Sequence, residues 1–174
     1  MKKMLKILYL LLAFMINPVF ANPVSVLPSL PAMQQIGAGQ YRYFFWKVYN
    51  IALYAEQKPW SDEQSSALKV QYLRAFTGQE IVEETLKQMQ RTSKQYPENI
   101  LRQWGDQMAM IFPDVKPGSI LIAYFDGQNT TIFYNGQAQR LGEIQGRDFA
   151  EAFFNIWLGQ NSADQKLTQQ LLGE

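Results

Sequence analysis

The chain of 174 residues reads as one α+β domain, an antiparallel sheet carrying a layer of α-helices. Three observations lead there. Two early stretches, 37–55 and 67–76, alternate at strand period. A run of turn-punctuated short strands follows at 119–144. The helical segments come in two groups, 77–112 and 148–172, rather than after each strand, which is the order of an α+β domain and not of a parallel α/β one.

The first stretch, GAGQYRYFFWKVYNIALYA, is dense in aromatic residues. At strand period one face is Tyr41, Tyr43, Phe45, Lys47, Tyr49, Ile51 and Leu53. The other is Gln40, Arg42, Phe44, Trp46, Val48, Asn50, Ala52 and Tyr54. Neither is plainly a solvent face, so both are expected to be covered by chain or by a ligand. No strong turn pair interrupts Tyr41 to Leu53, which favours one long strand over a hairpin. Arg42 is the charged exception on its face, and its partner is the main functional question.

Residues 56–66 read as a loop, with Trp60 either capping the core, the favoured reading, or lying over a cleft. In 67–76, Leu68, Val70, Tyr72, Arg74 and Phe76 share a face opposite Lys69 and Gln71. Arg74 either snorkels at the sheet end or is a buried guanidinium needing an acid. Thr77-x-x-Glu80 is a capping box that starts a helix along Val82, Leu86 and Met89. Pro97 suits the first turn of a second helix, whose apolar stripe is Ile100, Leu101, Trp104, Met108 and Ile111. Asp126-Gly127 and Asn135-Gly136 are hairpin turns joining three strands, 119–125, 130–134 and 137–144. Asp148 is expected to cap a helix through Phe149, Phe153, Ile156 and Trp157, closed by Gly159. Ser162-x-x-Gln165 reads as a second capping box before Leu167, Leu171 and Leu172.

Composition removes several function classes. The sequence has no histidine and no cysteine. Imidazole-based nucleophile pairs and thiolate or imidazole metal sites are therefore not expected, and no cofactor is implied. Lys2, Lys3 and Lys6 precede an apolar run at 7–16, and Val19-Phe20-Ala21 gives a small-x-small pattern. This reads as a signal peptide, residues 1–21, with cleavage expected after Ala21, and it would imply a periplasmic protein with no stable membrane insertion afterwards. Without those three lysines, 13 basic residues face 15 acidic ones, a net charge of −2. A nucleic-acid partner is not expected. Residues 22–36 carry three prolines and read as a linker. The domain is then 37–174, expected as a monomer.

Four segments carry a resemblance. GAGQYR…KVYNIALYA at 37–55, LKVQYLRAFTGQEIVEETL at 68–86, FPDVKPGS at 112–119 and YNG…LGEI…FAEAFFNIWLG at 134–159 together resemble the bacterial exported chalcone isomerase-like proteins. The resemblance implies an open-faced β-sandwich, with a ligand cleft between the sheet and a helical layer. Plant members close a chalcone into a flavanone, and others bind fatty acids or have no settled role. The family's cleft arginine corresponds to Arg42 if a bulge shifts the register; a gap-free match puts Tyr41 there. The catalytic members' threonine corresponds to Tyr49, their tyrosine to Ile81, and an asparagine to Gln88. With Ile81 offering no hydroxyl, flavanone formation is not expected.

The reading that follows is a non-catalytic protein binding a small amphipathic acid, such as a fatty acid. Arg42, Tyr49 and Arg74 would hold the carboxylate, with Ile81 and Gln88 lining the cleft. Two other readings stay open. One is an isomerase or intramolecular lyase of altered substrate, with Arg42 stabilising an enolate and Tyr49 as the acid. The other is a structural or interaction protein whose cleft is filled by its own side chains.

Overall fold

The computed structural model describes residues 30–174. The signal-peptide and cleavage expectations, and most of the 22–36 linker, lie outside the described residues. Six strands follow one another as β1 (Gln34–Tyr43), β2 (Trp46–Ala55), β3 (Ser66–Tyr72), β4 (Ile120–Phe125), β5 (Thr130–Asn135) and β6 (Arg140–Gln145). They form one antiparallel sheet in chain order. Helices α1 (Gly78–Thr92) and α2 (Glu98–Ala109) are inserted between β3 and β4, and α3 (Arg147–Leu158) and α4 (Gln165–Leu172) follow β6.

The main core lies between the sheet's inner face and the helices. Ile51, Leu53, Leu68, Val70, Leu121, Ala123 and Phe133 meet Val82, Met89, Trp104, Phe149, Phe153 and Leu171 there. Phe133 of β5 anchors the layer, with edge-to-face contacts to Phe112, Phe149 and Phe153 at ring centroids of 5.1, 6.3 and 5.5 Å. A second, smaller cluster lies on the outer face, where Leu30 and Met33 cover Tyr54, Ala67, Ile122 and Tyr124.

Local signals explain most boundaries. Thr77 caps α1, its side chain accepting from Glu80 N while the Glu80 carboxylate accepts from Thr77 N. Asp126 Oδ1 accepts from the backbone of Gln128, Asn129 and Thr130, which closes the β4–β5 turn.

Several expectations change. The first stretch is a hairpin and not one long strand, with Tyr43 paired to Trp46 and the chain reversing at Phe44-Phe45. Phe44 takes φ 53°, a conformation usually given to glycine or asparagine, so the turn carries no composition signal. β1 begins at Gln34, inside the stretch read as linker, because Ile36 finds a buried site. β3 ends at Tyr72, and Arg74 lies beyond it. α3 starts at Arg147 behind Gly146, whose φ of 115° suits glycine, so Asp148 sits in the first turn instead of capping. Asp164 caps α4 by accepting from Leu167 N. Gln165 donates to the Ser162 carbonyl, so Ser162 is not the cap expected there.

Candidate functional site

On the inner face, β1, β2 and β3 bring Tyr41, Tyr49 and Tyr72 under α1 and α3. Tyr41 and Tyr49 are cross-strand partners, and their rings stack at 5.0 Å. Tyr72 meets Tyr49 edge-on at 6.2 Å and Phe76 at 6.1 Å. The Tyr49 hydroxyl accepts from Trp157 Nε1 at 2.9 Å. Burial pushes the Tyr49 and Tyr72 hydroxyls far above the ordinary tyrosine value, outweighing the lowering effect of the Trp157 bond on Tyr49. Both stay neutral at any physiological pH.

Ile81 packs partly buried against this core, and its carbonyl accepts from Thr85 Oγ1 at 2.7 Å. Gln88 donates to Glu84 at 2.6 Å, and its own Oε1 is buried with no partner among the described residues. The region where the resemblance implies a cleft is thus occupied by rings from both layers. The charges that act on Tyr41 come from the helices, Glu84 and Arg91 of α1 and Asp164 at the start of α4.

Arg42 lies on the other side of the sheet. A bulge does occur next to it, since Tyr41 pairs with Tyr49 but Arg42 with Lys47. The extra residue is Val48, on β2, so Tyr41 and Arg42 keep opposite faces. Tyr41 occupies the inward position and Arg42 points outward, where its Nε donates to Gln40 Oε1 at 3.1 Å. Gln40 in turn donates to Asn50 at 2.8 Å, and Asn50 to Gln71 at 3.3 Å. A row of amides therefore crosses three strands and ends on a guanidinium.

This row floors a groove of about 770 Å³. Ala38, Ala52, Tyr54 and Lys69 add to its sheet side, and Lys166, Leu167 and Gln170 of α4 to its rim. The ion pairs among the described residues are Lys87–Glu84 and Arg140–Glu143. Arg42, Lys69 and Lys166 thus have no ionic partner there. Asp164, also at the rim, is engaged as the α4 cap.

Arg74 is neither in this groove nor in the interior. It is exposed, with its guanidinium carbon 4.7 Å from the centre of the Trp46 ring. The five residues expected at one site therefore divide. Tyr49, Ile81 and Gln88 face the interior, Arg42 faces the groove, and Arg74 stands at the hairpin. Gln40, Asn50, Lys69 and Gln71 were not expected to take part. Alternation put Gln40 and Asn50 on the face of Arg42, and Lys69 and Gln71 opposite the apolar face of their strand, but only the cross-strand register puts them side by side.

An open six-stranded antiparallel sheet with helices on one face defines the class of this molecule. The profile described as chalcone isomerase-like matches residues 31–173, and the chain belongs to that family. It is 28% identical over 149 residues to an uncharacterized protein of Haemophilus influenzae, covering 81% of this chain and 68% of that one. A solved structure with the same fold is a fatty-acid binding protein of Arabidopsis thaliana. The TM-score is 0.61 at 8% identity, over 81% of this chain and 87% of that one.

Proposed function

We propose that this protein is a non-catalytic binding protein for a small amphipathic acid such as a fatty acid, working in the periplasm after cleavage behind Ala21. The observation that carries the reading is the outer-face groove, which ends on Arg42 and Lys69, cations with no ionic partner among the described residues. A guanidinium and an ammonium beside a row of amides suit a carboxylate. Ala38, Ala52, Tyr54 and Leu167 give an attached tail apolar surface. The likeness in fold to a fatty-acid binding protein points the same way.

The isomerase reading has less support. Closing a ring through an enolate needs a cation and a hydroxyl on one substrate. Here Arg42 and Tyr49 face opposite sides of the sheet, and Tyr49 is already bonded to Trp157. Packing of the interior favours a structural or interaction role if the groove binds nothing.

Native mass spectrometry of the purified protein, followed by titration with a chain-length series of fatty acids, tests the reading. Arg42→Ala with Lys69→Ala is expected to weaken binding by about tenfold or more. Absence of any bound acid would overturn the proposal. Binding that survives the double variant but is lost in Tyr49→Phe would move the site to the interior.

A further inference from the structure

We infer that the β1–β2 hairpin tip docks reversibly on the surface of an anionic lipid bilayer. Tyr43, Phe44, Phe45 and Trp46 are 60, 77, 84 and 55% exposed, an unusual cost in water for four consecutive aromatic residues. Their rings touch in series, at centroid spacings of 4.8, 6.3 and 6.4 Å, and so form one apolar cap rather than scattered side chains.

The cap is also free of the sheet. The β2–β3 register begins at Tyr49 and the last backbone bond is from Leu73 N to the Val48 carbonyl, so the end of the hairpin beyond Val48 overhangs its neighbours. Its backbone is nearly self-sufficient, because the Tyr43–Trp46 pair leaves a two-residue turn. Phe44 occupies a positive φ where a side chain is costly, and the chain places a phenyl ring there instead of glycine.

Three features favour lipid over a protein partner. Tyr and Trp flank two Phe, which suits amphipathic rings at headgroup level with apolar rings below them. Arg42 and Lys47 border the tip, and Arg74 lies over Trp46. No acidic residue opposes them in sequence, since none precedes Glu56 and none falls between Ser66 and Gln79. Three cations beside an apolar tip are complementary to anionic headgroups. The contact is interfacial, as no described helix is long and apolar enough to cross a membrane.

The test uses the full chain with phosphatidylcholine vesicles, with and without phosphatidylglycerol. Phe44→Ser combined with Phe45→Ser is expected to reduce partitioning by about tenfold or more. Lys47→Gln or Arg74→Gln should each weaken binding to the anionic vesicles by about fivefold. Vesicles with brominated acyl chains should quench the parent's tryptophan emission and quench Trp46→Phe much less. This readout reports the tip itself, whatever residues 1–29 contribute to partitioning. Equal quenching in parent and Trp46→Phe would overturn the inference. So would self-association that disappears in the Phe44/Phe45 variant without any lipid contact, which would make a second copy the partner.

Discussion

The Tyr49 hydroxyl accepts the Trp157 indole proton among stacked rings, and the bond ties β2 to α3. Tyr49→Phe leaves that N–H without its acceptor and is expected to cost about 1–2 kcal/mol at neutral pH, read by urea denaturation. The same residue shapes the alkaline limit. Burial raises the folded-state value of Tyr49 and of Tyr72, so the neutral forms favour the fold. That contribution is complete below the unfolded value near pH 10 and is lost progressively as pH rises above it. Stability should therefore fall above about pH 10. In Tyr49→Phe the fall should be shallower, and equal slopes would show that Tyr49 does not ionise on unfolding. At this scale the sequence was informative about parity and silent about depth. Alternation put Tyr41 and Tyr49 on one face and Arg42 on the other, as observed. Which of those faces held a groove depended on side chains from α3 and α4, more than a hundred residues away.

Among the elements, α1 was the most legible, because its start is written locally. The Thr77–Glu80 box forms as expected, and Asp114 Oδ1 adds a bond from Gly78 N at 2.8 Å. Thr77→Ala is expected to lower stability by about 1 kcal/mol, while Thr77→Ser should retain most of it; thermal unfolding of the two variants distinguishes them. The β4–β5 turn was legible for the same reason, through Asp126-Gly127. The β1–β2 turn was not, because Phe44-Phe45 contains none of the residues that favour positive φ. The start of α4 misled in another way. Ser162-x-x-Gln165 has the spacing of a box, but Asp164 lies nearer the helix and takes the donor from Leu167.

The molecule as a whole is a meander, each strand beside its predecessor; the turn signals indicated this for the last three strands alone. The helical layer was expected as well, though not how it closes on β1. α4, the last described helix, rests on β1, the first described strand. Gly37 and Gly39 allow that approach: a Cβ on Gly37 would sit 2.0 Å from the Gln170 carbonyl oxygen and 2.6 Å from that of Leu171. Gly37→Ala should therefore displace α4 at a cost of about 1–3 kcal/mol. Gly39→Ala meets the movable tips of Leu167 and Gln170 and should cost less; chemical denaturation of both gives the comparison. This clasp between the two ends also sets a timetable. A nascent chain can pair β1 with β2 as soon as both are made. The inner face around Ile36 stays open to water until the final eight-residue helix emerges. A ribosome that stops short of residue 165 would release a chain with most of its sheet and no cover over its first strand, an adhesive product that quality control would have to remove.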